Sequence, residues 1–118
     1  MKIFESEYRF MEILWEKEPI RSGELVKLAG ERLGWKPTTT YTVIKRLAER
    51  GAVVNENSVV RSLIGRDEAR REEIGELVEK KFDGSVPAFV AAFTRSVSLS
   101  DDEIDELQRM IDEMRVKK

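Results

Sequence analysis

At 118 residues the chain has room for one ordinary domain or two small ones, and its lack of cysteine and histidine excludes a disulfide framework, a thiolate metal site and any Ser-His or Cys-His nucleophile pair. The longest apolar run, Val86 to Phe93 with Pro87 inside it, is too short to cross a bilayer as a helix, and acids at Glu5 and Glu7 stand where a signal peptide would be apolar, so a soluble cytoplasmic protein without cofactor or metal is expected. The net charge of −2 is unevenly spread: residues 1–66 hold 12 Lys/Arg against 9 Asp/Glu, whereas residues 67–118 hold 9 against 14.

Phe10, Ile13 and Leu14, joined by Met11 and Trp15, give helical spacing over 7–17, and Pro19 stops that helix. A second helix is predicted over 22–33, with Ser22 as N-cap and Gly34 as terminator. After the short link Trp35-Lys36-Pro37, a third helix is predicted from Thr38 to Arg50, with Gly51 at its end and a threonine as its cap. Three helices joined by short turns fit a helix-turn-helix. In the third, Thr40, Val43, Ile44 and Leu47 fall on one side, and Thr38, Thr42, Lys45, Arg46 and Glu49 on the other. Hydroxyls and cations on one exposed face are the groups that reach base edges and phosphates. Tyr41 beside them is able to stack on sugar or bond phosphate. The stretch 35–66 reinforces this, with Lys36, Lys45, Arg46, Arg50, Arg61 and Arg66 against Glu49 and Glu56.

Beyond Gly51 the period changes. Ala52-Val53-Val54 and Ser58 to Ile64 are β-branched and flank Asn55-Glu56-Asn57, a strand-turn-strand signal for a two-stranded wing that would carry Arg61. The remainder reads as helical. Ile74, Leu77, Val78 and Phe82 form a stripe over 67–82, which Asp83-Gly84 ends. Ser85 caps a short helix to Ser96 that leaves Phe89, Val90 and Phe93 exposed unless something covers them. Ser100 to Glu103 is a capping box, and Ile104, Leu107, Ile111 and Met114 then repeat at heptad spacing. So short a set of helices makes a poor core alone, and self-association through this seam and the two phenylalanines would supply the missing surface. The expected architecture is mainly α: a winged helix-turn-helix over 1–66 and a helical dimerisation tail over 67–118.

Taken in order, these features resemble the penicillinase-repressor family. The shared motifs are Ile13-Leu14-Trp15, Pro19-Ile20, Glu24-Leu25, the block from Trp35 through Thr38-Thr39-Thr40-Tyr41-Thr42-Val43-Ile44-Lys45-Arg46-Leu47 to Arg50-Gly51, then Asp83-Gly84-Ser85, the Phe89–Phe93 stretch, Leu99-Ser100 and Glu103 through Glu113. The resemblance implies a repressor whose winged domain binds double-stranded DNA at an inverted-repeat operator and whose tail forms a homodimer. Carried onto matching positions, it implies DNA contacts from Thr38, Thr39, Thr42 and Arg46. Two departures stand out. Copper-responsive members carry a cysteine-rich tail site, which a chain without cysteine lacks. Members controlled by a regulatory protease are cut at an Asn-Phe bond, matched here by Ala92-Phe93.

Two other function classes would require different residues. A winged-helix module that binds only protein would show exposed apolar groups on the third helix in place of Thr42, Lys45 and Arg46. An enzyme would have to rely on Asp101-Asp102-Glu103, whose position suits a helix N-terminus instead.

Overall fold

The computed structural model describes residues 3–116. Its elements run α1 Glu5–Lys17, β1 Ile20–Arg21, α2 Ser22–Leu33, α3 Pro37–Glu49, β2 Val53–Glu56, β3 Val59–Ser62, α4 Arg66–Phe82, α5 Val86–Ser96 and α6 Asp101–Val116. This is the mainly α, winged-helix architecture expected, with a helical tail. The chain forms two compact units, one up to Gly75 and one from Glu76 onward. The sequence boundary at 66/67 coincides with the start of α4, yet Ala69 of that helix belongs to the first unit's core. The division therefore falls inside α4.

The first unit's core follows the predicted periodicity. Phe10, Met11 and Leu14 of α1, Leu25 and Ala29 of α2, Ile44 and Leu47 of α3, and Val53 and Val60 of the sheet are all buried together. Burial of each large side chain contributes roughly 1.5–3 kcal/mol. Trp35, expected only as linker, lies against this cluster and stacks on Phe10 with ring centroids 5.6 Å apart. The Trp15 indole Nε1 donates to the Ile64 carbonyl at 2.9 Å, tying α1 to the chain beyond the wing. The Glu18 carboxylate, just past the same end of α1, accepts from the Ser62 amide at 2.6 Å and joins it to β3.

Several local expectations are corrected. Helix α1 starts at Glu5 because Glu7 Oε1 accepts the Phe4 amide at 2.9 Å, supplying a turn before the apolar stripe begins. Ser22 is not the N-cap of α2. It is the first helical residue, buried, and its amide donates to Ser58 at 2.8 Å, while Arg21 precedes the helix. No threonine caps α3 either: Lys36 holds that position and Pro37 is the first helical residue, its fixed φ suited to that place. The wing is not two strands alone. β1 pairs antiparallel with β3, giving a sheet of order β1-β3-β2. Its hairpin turns at Asn57-Ser58, with φ of 53° and 63°, whereas Asn55 and Glu56, expected in the turn, belong to β2. Two successive left-handed residues match the twist of the flanking strands.

In the second unit, Asp83 and Gly84 both take positive φ and end α4, and the Gly84 amide returns to the Val78 carbonyl at 3.1 Å. Ser85 caps α5 through its side chain, which accepts from the Ala88 amide at 3.1 Å. The capping box of α6 is present in both directions, Ser100 N–H to Glu103 at 3.0 Å and Glu103 N–H to Ser100 Oγ at 3.1 Å. Those bonds hold the Glu103 carboxyl below its ordinary pKa. Val78 is buried, but among the described residues of α5 and α6 none is.

Candidate nucleic-acid interface

Helix α3 is fixed by three inward residues at successive turns. Thr40, Ile44 and Leu47 are buried, and Val43 is half-buried beside them. That anchoring dictates which way the other side faces. Thr38, Thr39, Tyr41, Thr42, Lys45 and Arg46 are all exposed, so the structure brings six of the seven predicted contact residues onto one helix. The seventh, Arg61, is exposed on β3, opposite Val54, and its guanidinium lies 3.8 Å from Glu56 one diagonal away. An exposed pair at that distance holds little energy and is easily exchanged for a phosphate.

The face has internal detail. The Thr42 hydroxyl donates to the Thr38 carbonyl at 2.8 Å, which leaves this exposed residue a methyl and an oxygen able only to accept. Thr40 N–H to Lys36 at 3.1 Å is the first rung of the helical ladder, so the amides of Thr38 and Thr39 stand outside it at the positive end of the helix dipole. Such amides suit a phosphate oxygen. Sequence reasoning passed over this pair because a helical wheel displays side chains, not backbone amides. Thr39 and Arg46 lie on the flank toward Val43 and border a groove of about 520 Å³ that also meets Phe4, Trp35 and Arg50.

The basic stretch 35–66 divides into two groups. Among the described residues, Lys36, Lys45 and Arg46 make no ion pair with a carboxylate. Arg50 pairs with the buried Glu7, Arg61 with Glu56, and the Arg66 guanidinium lies 5.8 Å from the Trp15 ring centroid. The net surplus counted from sequence therefore overstates the positive charge this surface presents.

The second candidate surface lies in the tail. Ile104, Leu107, Ile111 and Met114 are exposed, from 39% for Leu107 to 71% for Met114, as is Phe93. Phe89 departs from expectation: it is half-buried, in edge contact with Phe82 at 5.6 Å and near Phe93 at 6.5 Å between centroids. The three rings form one short aromatic row.

A family model described as penicillinase repressor matches residues 3–113. The chain belongs to the penicillinase repressor family. It is 26% identical over 121 residues to the penicillinase repressor of Bacillus licheniformis, covering 99% of this chain and 94% of that protein. It is 25% identical over 114 residues to the methicillin resistance regulatory protein MecI of Staphylococcus aureus strain Mu50, and equally to that of Mammaliicoccus sciuri, with 93% of each chain covered in both cases. The penicillinase repressor family is one of transcriptional repressors, not of enzymes. Among the described residues, no helix is long and apolar enough to cross a membrane.

Proposed function

We propose that this penicillinase repressor family member is a cytoplasmic, sequence-specific DNA-binding protein that acts as a homodimer on an inverted-repeat operator. Residues 1–66 are its reader and 67–118 its dimerisation half. The observation that carries the proposal is the exposed face of α3, where hydroxyls and unpaired cations stand together on a helix anchored from behind. Lys45, the Thr38 and Thr39 amides and Arg61 of the wing bind phosphates, Tyr41 contacts sugar or phosphate, and Thr42 and Arg46 meet base edges. The names of the relatives support repression as the outcome.

Dimerisation rests on the tail. A helix with an apolar seam and no buried residue is stable only when another surface covers it. Two copies joined there would present two α3 helices to major grooves about 34 Å apart. Ala92 in place of the cleaved family asparagine leaves no role in the proposal for cutting at Ala92-Phe93. The test is a gel shift on the DNA upstream of the protein's own gene against scrambled DNA. The Thr42→Ala/Arg46→Ala double variant should stay folded and lose its preference for the upstream fragment. A folded double variant with the wild-type preference would remove α3 as the reader.

A further inference from the structure

The Glu7–Arg50 pair lines the same groove as Thr39 and Arg46 of the proposed DNA face and joins elements far apart in sequence. Glu7, in the first turn of α1, is a buried carboxylate with both oxygens occupied. Oε1 accepts the Phe4 amide at 2.9 Å and Oε2 accepts from Arg50 Nη2. Arg50 is the residue that closes α3. Its Nε donates to the Arg46 carbonyl at 3.3 Å, and its guanidinium lies 4.2 Å from the Phe4 ring centroid. One side chain thus links the start of α1 to the backbone of Arg46, a residue on the reading face. Each charge also sits at the helix end that favours it, the anion at an N-terminus and the cation at a C-terminus.

We propose that this pair sets the position of α3 for base readout, a positioning role that rests on the DNA-binding reading above. Adhesion alone does not explain it. Apolar side chains of similar volume hold two helices together as well as a buried ion pair or better, because both charges lose their hydration. A planar guanidinium bonded at its Nε and Nη2 and stacked on a ring instead fixes direction and distance, which nondirectional apolar contact does not. Displacement of α3 along its axis would move Thr42 and Arg46 together relative to the groove.

The decisive variant is Glu7→Leu/Arg50→Met in the full chain, which removes both charges and leaves neither unpaired. Its melting temperature, α3 amide exchange without DNA, and affinity for the upstream fragment and for scrambled DNA are measured across a salt series. The expected result is a folded protein whose salt slope on scrambled DNA is unchanged. Its preference for the upstream fragment falls by about tenfold, the scale of one lost base contact, and the Thr42–Leu47 amides exchange faster while those of α2 do not. Wild-type preference together with wild-type exchange would overturn the proposal. So would an equal loss on both DNAs, which signals fewer folded molecules, not a displaced reader. Should the double variant fail to fold, Arg50→Lys decides: it keeps the charge and loses the Nε bond and the flat stack, and an unchanged preference overturns the role. If the wild type itself prefers neither DNA, the DNA reading falls, and the exchange measurement alone judges the pair.

Discussion

The chemistry of Thr42 can be separated atom by atom. Its hydroxyl proton is engaged by the Thr38 carbonyl at 2.8 Å, so the group offered to a base is a methyl, with an oxygen able only to accept. Thr42→Val keeps the methyl and deletes the oxygen. Valine and threonine have similar helix propensities, and the Thr38 carbonyl keeps its backbone rung, so an exposed change here should move stability by less than about 0.5 kcal/mol. Thr42→Ser keeps the hydroxyl and deletes the methyl. If the methyl meets a thymine methyl, its loss costs about 0.8 kcal/mol per half-site. Over two half-sites that is about 1.6 kcal/mol, or roughly fifteenfold in affinity. Fluorescence anisotropy on the upstream fragment at fixed salt should therefore find Thr42→Val within about twofold of wild type and Thr42→Ser well below it. The reverse order would mean that the hydroxyl reads a base, and the argument from its intrahelical bond would fail.

Lys45→Ala should weaken upstream and scrambled DNA alike and flatten the dependence of log affinity on log salt by about one unit per subunit; an effect on one sequence only would reassign Lys45 to base readout. Leu107→Glu/Ile111→Glu should shift the full chain from dimer to monomer in sedimentation, because neither side chain contributes to a buried core in the single chain; a variant that stays dimeric at micromolar concentration would place the interface elsewhere. Acid should loosen α6. The Glu103 carboxyl is lowered by its bonds from the Ser100 amide and hydroxyl, so its contribution is complete above the ordinary carboxylate range and is lost as pH falls through the lowered value. Glu103→Gln should remove that part of the acid dependence of tail helicity seen by circular dichroism, and an unchanged acid profile would show that the capping box does not control it.

What was legible in the sequence follows physical range. Helices α1 to α3 could be read because their apolar residues repeat with a period set by the helix itself. The exposed face of α3 was legible for the same reason, since all its members share one helix. Strand β1 has two residues and no period to read; it forms because Ile20 and Arg21 meet Val60 and Val59 across the sheet. Ser22 has the side chain of a cap, but the Ser58 carbonyl takes its amide, and only the folded chain brings the two together. The turn at Asn57-Ser58 was missed because serine rarely takes positive φ, whereas the hairpin's register requires it. The Glu7–Arg50 pair spans α1 and α3 and has no signature in spacing.

That pair also alters the electrostatic argument for DNA binding. Counted along the sequence, six cations between 35 and 66 suggest a strongly basic reader, twelve in a dimer. If all met phosphate, the logarithmic salt slope would approach about −11. Two of the six have other partners, Arg50 holding Glu7 and Arg66 facing Trp15, and Arg46 is assigned to a base edge. Lys36, Lys45 and Arg61, whose exposed contact with Glu56 is easily exchanged, remain, six per dimer, for a slope nearer −5. One reader alone would have half of that, too little electrostatic attraction to hold an operator firmly at physiological salt. Joining two readers through the tail adds their contacts on one DNA molecule, with the second binding at the high effective concentration the first creates. On the proposed reading, the exposed seam of α6 and the sparse positive charge of the reader would meet one need: a second copy would cover the apolar surface and add enough phosphate contacts.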